Sequence, residues 1–377
     1  MVFELESKVA RKSTVWPGSV QKLHESMTAG LYRDSHPPRL FTLTNQNGMT
    51  VTLMDIGATW LSCTLPVAGS FQYKETHREV LLGINTIEKF QQQEAYLGST
   101  IGRYANRIAH GQFELNGQVV KLSKNSGEHT LHGGEDGFDK RRWDVIDTRV
   151  NSVTFGLSSP DGDQGFPGNM DIKVSYVLTD NNQVEIDYTG TLDKLCPVNL
   201  TNHAYFNLEG KSGRQSCLAH KMRIFSDQFL ATNEQGIPFE IKSVSGTGLD
   251  FQIMKSLQDD FLSDSYQRAV NGYDHSFIVQ PEDGNTKNIV KAAQVISPDN
   301  KILMNIYTSM PAIQLYTGNF LEGCPSRSND VYLNYSGFAL ETQYLPDAPN
   351  HPEWKVSTSL IKPDEVYFEK TIYEFSF

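Results

Sequence analysis

Short alternating runs of apolar and polar residues, separated by turn-forming residues, fill the chain from about residue 38 to its end. Two of these runs flank Asn47-Gly48, and two more flank Asn116-Gly117. Asn-Gly favours a tight hairpin turn because both residues tolerate positive φ. The alternation therefore predicts many antiparallel strands joined by hairpins. It continues in residues 153–159, 171–180, 182–192, 312–321, 337–345 and 371–377.

Helical spacing is confined to two short stretches, residues 85–97 and 256–269. No low-complexity linker divides the chain, and no repeat of fixed period is found. Many strands, few helices and no internal boundary predict an all-β fold, a large antiparallel β-sandwich with a few short helices. We assign residues 38–377 to this single domain. Residues 1–37 show no clear period, and we interpret them as an N-terminal extension of unclear role.

The chain is acidic, with 33 basic and 44 acidic residues and a formal net charge of −11. Without a basic block, this charge argues against binding to nucleic acid or to an anionic membrane surface. No apolar run approaches the ~20 residues that span a bilayer. The N-terminal residues lack the apolar core of a secretory signal. Four cysteines lie far apart without a CxxC pair, which is typical of reduced thiols, and we expect a cytoplasmic protein.

The segment NLTNHAYFNL, residues 199–208, has an unusual polar face. Successive side chains of a strand point to opposite faces. One face would carry Asn199, Thr201, His203, Tyr205 and Asn207, with none of the charged residues expected on a solvent-exposed strand. Five neutral hydrogen-bonding groups in a row suit a hydroxyl-rich ligand such as a sugar. On this segment alone, His203 fits a proton donor facing a ligand and a structural residue bonded to its neighbours equally well.

Glu341 lies between apolar residues in the strand-like run GFALETQYL. A carboxylate on the half-buried part of a strand is costly unless it is paired or used. Desolvation there would raise its pKa towards the range of a useful general base. The alternative is an ion pair with an arginine of the segment IGRYANRIAHG, which carries Arg103, Asn106 and Arg107. Those arginines also fit a surface loop with salt bridges.

Two motifs have a metal interpretation that the spacing does not support. His129 and His132 are three residues apart, but no third ligand with zinc-like spacing follows. Asp161 begins a loop similar to a calcium site, yet its twelfth position is Ile172 where a bidentate glutamate should stand. We therefore expect no metal ion at either motif. Asp274 precedes a predicted strand and could pair with a neighbouring backbone group.

Taken together, these stretches resemble the aldose 1-epimerase family, the galactose mutarotases, and are most similar to its bacterial single-domain type. Seven groups of residues occur in the order found in that family and cover the chain from about residue 38 to its end. Residues 1–37 lie outside the resemblance. The matching phrases are GRYANRIAHGQFELNG, TLHGG with GFDKRRW, DGDQGFPGN, NLTNHAYFNLEG, GYDHSF, AIQLYTGNFL and GFALETQYLPDAPNHPEW.

The resemblance implies a β-supersandwich fold and an enzyme that interconverts the α and β anomers of free hexoses, galactose and glucose above all. It implies no metal and no organic cofactor. By the matching motifs, Glu341 is the general base and His203 the general acid. Contacts to the sugar are implied for Asn106, Arg107, His132, Asp274 and Gln314.

Other functions share parts of this pattern. A glycoside hydrolase needs two carboxylates across the scissile bond, whereas the sequence offers one carboxylate and a histidine. A non-catalytic sugar-binding sandwich would share the polar strand face. A hexose-phosphate mutarotase would need basic residues for the phosphate, and Arg141-Arg142 is the candidate. We expect the partner to be a small aldohexose, and the protein to be a monomer or a homodimer.

Overall fold

The computed structural model describes residues 17–67, 77–210, 215–279, 288–354, 356 and 358–377. Within them, the α-helices are α1 Gly18–Thr28, α2 Ile87–Gln92 and α3 Ser265–Ala269. Short 3₁₀ turns cover Ala109–Gly111, Phe138–Lys140, Asp163–Gly165, Cys217–Ala219 and Ala348–Asn350.

The strands up to the middle of the chain are β1 Leu40–Thr44, β2 Thr50–Met54, β3 Thr59–Leu65, β4 Arg78–Glu79, β5 Thr100–Ile101, β6 Arg107–Ile108, β7 Gln112–Leu115, β8 Gln118–Lys121, β9 Thr130–Leu131, β10 Asp144–Thr148, β11 Ser152–Ser159, β12 Met170–Leu178 and β13 Gln183–Leu192. They continue as β14 Cys196–Pro197, β15 Thr201–Asn202, β16 Tyr205–Phe206, β17 Lys221–Ile224, β18 Gln228–Thr232, β19 Pro238–Ser243, β20 Lys255–Ser256, β21 Asp274–Ile278, β22 Val290–Ile296, β23 Leu303–Thr308, β24 Ala312–Tyr316, β25 Phe338–Gln343, β26 Leu360–Ile361 and β27 Val366–Ser376.

Three larger sheets organise these strands. The first has nine strands in the order β10-β11-β12-β13-β27-β23-β22-β17-β20, and the second has six in the order β16-β25-β24-β21-β18-β19. A four-stranded sheet, β1-β2-β3-β4, lies at the N-terminal end of the domain. The pairings within these three sheets are antiparallel. The prediction of an all-β antiparallel fold is confirmed.

The core lies between the inner faces of the nine-stranded and six-stranded sheets. Strand β27 of the first sheet contacts β25 of the second through a hydrogen bond, which the Tyr373 hydroxyl donates to the Leu340 carbonyl at 3.0 Å. The Thr371 and Thr342 hydroxyls also bond to each other across the two sheets. Apolar side chains from both sheets join one continuous buried cluster around these contacts. Burial of this layer is the main stabilising term of the fold.

Strand β25 therefore has two different faces. Phe338, Leu340 and Thr342 point into the core between the sheets, whereas Glu341 and Gln343 point to the opposite face. That opposite face of the six-stranded sheet forms the floor of the cleft described below.

The hairpins predicted from Asn-Gly are confirmed. Asn47-Gly48 lies in the turn between β1 and β2, where Gly48 has φ 82° and its N–H donates to the Asn45 carbonyl. Asn116 and Gly117 both have positive φ, 51° and 75°, in the two-residue turn between β7 and β8. The helical stretches are shorter than predicted, Ile87–Gln92 within 85–97 and Ser265–Ala269 within 256–269.

Residues 17–37 pack against the sandwich. Leu23 and Met27 of α1 join Tyr32 in a second buried cluster with residues from the four-stranded sheet. The Arg142 guanidinium bonds to the Asp34 carboxylate, which adds a polar contact. The assignment of residues 1–37 and 38–377 to separate units stays a prediction.

Among the described residues, no helix is long and apolar enough to cross a membrane. The four cysteines are all free thiols, and Cys63, Cys196 and Cys217 are buried.

Candidate active site

A cleft of about 450 Å³ opens over the outer face of the six-stranded sheet. It gathers side chains from distant parts of the chain, and its predicted site residues run from Asn106 to Glu341, 235 positions apart. Six of the seven predicted site residues line it: Asn106, Arg107, His132, His203, Asp274 and Glu341.

The floor of the cleft is set by strand register. Gln314 of β24 pairs with Glu341 of β25, and Tyr316 of β24 pairs with Asp274 of β21. Residues directly opposite in antiparallel strands project from the same face, so these four side chains share the floor. Gln314 is the seventh predicted residue, and it contacts the cleft indirectly, because its Nε2 donates to Asp274 Oδ1 at 2.6 Å.

Glu341 and His203 face each other at the bottom of the cleft. Glu341 Oε1 lies 3.5 Å from His203 Nε2, and the two residues are only 2% and 4% exposed. The backbone of His203 is held on both sides, since its N–H donates to the Ser99 carbonyl and its carbonyl accepts from the Gly98 N–H. Glu341 Oε2 and His203 Nδ1 are buried and have no hydrogen-bond partner among the residues that the structure describes. The pair is therefore preorganised yet incompletely satisfied, as expected of groups that serve a ligand.

Burial moves the pKa values of the two groups in opposite directions. It raises the pKa of Glu341 well above its ordinary value, assisted by the neighbouring Asp274, while Arg107 opposes the rise. It lowers the pKa of His203 to about 4. Desolvation disfavours the charged form of each group, so burial favours a neutral Glu341 carboxyl beside a neutral His203 ring.

One wall of the cleft is built by residues with positive φ. Asn106 has φ 65° and His132 has φ 52°, and their main chains bond to each other because the His132 N–H donates to the Asn106 carbonyl at 3.0 Å. The Asn106 N–H in turn donates to His132 Nδ1 at 3.2 Å. Burial, His203 and Arg107 lower the pKa of His132, so its ring is neutral. Its single proton is therefore on Nε2, which makes His132 a hydrogen-bond donor.

Arg107 brings positive charge to the same wall. It lies in β6 opposite Leu131 of β9, and its carbonyl accepts from the Asp347 N–H. Within the part of the chain that the structure describes, its guanidinium forms no hydrogen bond and no ion pair within 4 Å. Its charge nevertheless opposes the rise in the pKa values of Glu341 and Asp274. Its donors are thus available to a ligand.

His132, His203 and Glu341 could form a metal site by distance, because one potential ligand atom from each lies within 4.8 Å of the others. The tautomer of His132 does not suit metal binding. Its Nδ1 lone pair accepts from Asn106, and its Nε2 carries the proton. A metal would have to displace that backbone bond or that proton. His129 is not part of this group, since its Nε2 bonds to Gln235 Oε1.

The prediction that the polar strand face of residues 199–208 forms a wall of the ligand site is wrong. Only His203 and Tyr205 of that face line the cleft. Asn199 instead accepts from the Tyr344 N–H and donates to the Ala105 carbonyl, and Asn207 donates to the Ser336 carbonyl. The segment is two short strands, β15 and β16, with a break between them. Its amides satisfy buried backbone groups of adjoining loops, a use of polar side chains that alternation does not reveal.

Several aromatic residues of the cleft were missed by the sequence analysis. Tyr316 lines it, and a signal existed, because it follows Gln314 by two positions on the same strand face. Tyr96 also lines it, with its ring centroid 4.6 Å from that of His132, but no pattern marks its φ of 57°. Phe320 lies at the rim and is 69% exposed.

The remaining predicted motifs are structural. Arg103 is buried and donates to the Ser159, Pro167 and Gly168 carbonyls. Arg141 forms a two-pronged ion pair with Asp163, the second acidic residue of the calcium-like loop. Arg142 pairs with Asp34 and Asp55. Neither arginine of the candidate phosphate site lines the cleft.

Comparison with known proteins agrees with this architecture. The sequence model of the aldose 1-epimerase family matches residues 39–374. An aldose 1-epimerase from Escherichia coli (strain K12) is 48% identical over 349 residues, which cover 92% of this chain and 98% of that protein. A galactose mutarotase from Bos taurus is 40% identical over 304 residues, covering 79% of this chain and 84% of that protein.

Solved structures match as well. An aldose epimerase homologue from C. elegans superposes with a TM-score of 0.80 at 29% identity, covering 90% of this chain and 99% of that one. A galactose 1-epimerase from Lactobacillus acidophilus NCFM gives a TM-score of 0.77 at 27% identity, with 92% and 97% covered. Matches of this extent in both sequence and structure establish common ancestry, and the chain belongs to the aldose 1-epimerase family, a family of isomerases.

Proposed function

We propose that this protein interconverts the α and β anomers of free aldoses, with Glu341 and His203 as the catalytic acid–base pair. The observation that carries the proposal is the buried pair itself, with Oε1 and Nε2 3.5 Å apart at the bottom of a cleft. Relatives that share most of the chain are named aldose 1-epimerase and galactose mutarotase, which supports the same activity here.

The chemistry needs one base and one acid. Opening the ring of a hemiacetal removes the proton of the C1 hydroxyl, breaks the bond between C1 and the ring oxygen, and places a proton on that oxygen. Glu341 takes the first proton and His203 supplies the second. Rotation about the C1–C2 bond presents the other face of the aldehyde. Closure then returns one proton from Glu341 to the C1 oxygen and one from the ring hydroxyl to His203.

The proton count of the neutral Glu341–His203 pair suits this cycle. The reactive form, with a Glu341 carboxylate and a His203 imidazolium, contains the same single proton as the neutral pair that burial favours. A sugar that enters the cleft brings hydroxyl groups that solvate the ionic form. Ring opening consumes the ionic pair and leaves the neutral pair, so the open-chain stage coincides with the protonation state that the buried site prefers.

The wall and floor hold the sugar. Arg107 and the Nε2–H of His132 donate to sugar hydroxyls, and Asn106 adds an amide beside them. Asp274, oriented by Gln314 Nε2, accepts from a hydroxyl on the other side. These contacts keep the C1 oxygen and the ring oxygen within reach of the catalytic pair. Tyr316 and the exposed ring of Phe320 give the apolar face of the sugar a surface to pack on.

The decisive measurement is polarimetry of freshly dissolved α-galactose and α-glucose, with the spontaneous rate subtracted. We expect a first-order approach to equilibrium that is proportional to protein concentration. Sugar binding without a rate increase would identify a non-catalytic binding protein. A clear preference for glucose 6-phosphate over glucose would identify a hexose-phosphate mutarotase, although Arg141 and Arg142 are already neutralised by carboxylates.

The free thiols of all four cysteines support a reducing, cytoplasmic location. A monomeric or homodimeric state belongs to the same proposal, and sedimentation of the purified protein tests it.

A further inference from the structure

The orientation of Arg107 needs an explanation. Arginine has many rotamers, and a guanidinium that binds a ligand is usually held in place by partners of its own. Among the described residues, this guanidinium has none, and its Nε is buried without a hydrogen bond. Some other contact must restrict it.

That contact is the backbone of Gly236. Gly236 lies at the tip of the hairpin between β18 and β19 and has φ 73°. A Cβ atom added there would lie 2.9 Å from Arg107 Cζ and 3.1 Å from both Nε and Nη1. Real Cβ atoms essentially never lie within 3.0 Å of a neighbour, so the 2.9 Å contact to Cζ would require the guanidinium to move. The guanidinium therefore rests on the main chain at a position that only glycine leaves open.

The hairpin is itself anchored. Asn233 Oδ1 accepts from the N–H groups of Gln235 and Ile237 at 3.0 Å each, which fixes the turn. Gln235 Oε1 then accepts from His129 Nε2 at 3.2 Å. His129 directly precedes β9, the strand that pairs with the Arg107 strand β6. The hairpin tip and the arginine are thus tied to the same small unit, and their relative position is well defined.

We propose that Gly236 is a positioning residue, which holds the Arg107 guanidinium against the hairpin tip so that its donors face the sugar. The inference rests on the proposed function for the identity of the ligand. It concerns substrate binding, because the proposed function assigns Arg107 to a sugar hydroxyl and the proton transfers to Glu341 and His203.

The chain contains a matched control in the hairpin between β1 and β2. There Asn45 Oδ1 accepts from the N–H groups of Asn47 and Met49, as Asn233 does in the other turn. Gly48 takes the place of Gly236, with φ 82°. A Cβ at Gly48 would meet only Pro66, at 3.7 Å, which is ordinary contact. Gly48→Ala therefore imposes the same backbone strain without touching an arginine.

Steady-state mutarotation kinetics on galactose compare Gly236→Ala with Gly48→Ala. We expect Gly236→Ala to raise KM about tenfold or more, because that is the effect of losing one charge-assisted hydrogen bond to the sugar. The kcat should stay within about twofold of wild type. Gly48→Ala should keep both constants. Equal KM values for the two variants, or a loss confined to kcat, would overturn the positioning role.

A double-mutant cycle with Arg107→Lys gives a stricter test, because a lysine ammonium has no planar group to meet the added methyl. In the Arg107→Lys background, Gly236→Ala should change KM by less than about twofold. The same factor in both backgrounds would mean that Gly236 acts through the fold and not through Arg107.

A readout that does not depend on activity separates this proposal from the proposed function. The Nε–H resonance of Arg107, identified by its loss in Arg107→Lys, should shift in Gly236→Ala and stay in place in Gly48→Ala. An unmoved resonance overturns the positioning role even if wild type is active, and a shifted one supports it even if wild type is inactive. If Gly236→Ala does not fold, Gln235→Ala, which removes the tie to His129, should shift the same resonance, and no shift counts against the proposal.

Discussion

Glu341 and Glu369 are both buried on central strands, one facing the cleft and the other facing the space between the two large sheets. Burial raises the pKa of each, that of Glu369 to about 7. Their partners differ. Glu369 accepts from the hydroxyls of Ser309 and Tyr344, at 2.5 and 2.7 Å, whereas one oxygen of Glu341 has no hydrogen-bond partner in the described part of the chain.

Burial of a carboxyl group therefore does not by itself identify a catalytic residue. A buried carboxyl whose oxygens are satisfied by protein hydroxyls is part of the core. A buried carboxyl with an open acceptor beside a histidine, at the bottom of a cleft, is available to a substrate. The cleft group should therefore control turnover, and the core group should control stability.

The largest expected effect is on turnover. Glu341→Gln and His203→Asn should each lower kcat by a factor of about 10²–10⁴, since each removes one proton-transfer group while keeping a similar shape. Polarimetry of fresh α-galactose measures the rate, and circular dichroism checks that the fold is retained. Glu369→Gln is the matched control, and near-wild-type rates in Glu341→Gln would end its assignment as the base.

The next effect is on stability. A folded-state pKa of about 7 for Glu369, against an ordinary value of 4.5, means that the native state binds more protons than the unfolded state between these two pH values. Stability from this group is present below pH 4.5 and is lost as pH rises through 7. Relative to wild type, Glu369→Gln should gain about 3 kcal/mol of unfolding free energy between pH 4.5 and 8.5.

Urea unfolding at several pH values measures this difference. Mutarotation is measured at the same pH values without urea. Glu369→Gln should keep wild-type kinetics at every pH, whereas Glu341→Gln should keep them at none. A pH-independent difference between Glu369→Gln and wild type would show that the core carboxyl does not titrate in this range.

A smaller effect is expected at the cleft wall. Arg107→Ala and His132→Ala should raise KM for galactose about tenfold to a hundredfold, because each removes a donor to a sugar hydroxyl. Their melting temperatures should change little, since Arg107 has no side-chain partner among the described residues and His132 accepts a single backbone bond. Unchanged KM and kcat in both variants would count against this wall as the sugar site.

The smallest expected effect concerns the shape of the pH profile of kcat/KM in the wild-type protein. The catalytic pair works with one proton, so kcat/KM should fall as a second proton binds near pH 4, where His203 titrates, and again when the single proton is lost at high pH. His203 should contribute no inflection near pH 6.5, the ordinary pKa of histidine. An NMR titration of the His203 ring with its midpoint near pH 6.5 would mean that His203 is not desolvated. Glu369→Gln should leave the profile unchanged.

The sequence predicts the strands and hairpins well, because alternation and Asn-Gly turns are local signals. Glu341 stands out for the same reason, as a charge within an apolar strand. Glu369 is also a charge within a strand-like run, and alternation alone does not separate the two, since Ser309 and Tyr344 follow other strands of the chain. Among the sequence signals, the motif around Glu341 distinguishes it. The geometry of Asn106 and His132 depends on a pair of main-chain bonds between distant turns, which no local pattern encodes.

Strand β25 serves the chemistry with one face and the core with the other, so that Glu341 and its neighbours Leu340 and Thr342 are placed by a single register. A slip of one residue would put the carboxyl between the sheets and an apolar side chain in the cleft. A molecule in which β25 is out of register should therefore have no activity. The specific activity of a preparation should fall in proportion to the fraction of molecules in which β25 is out of register.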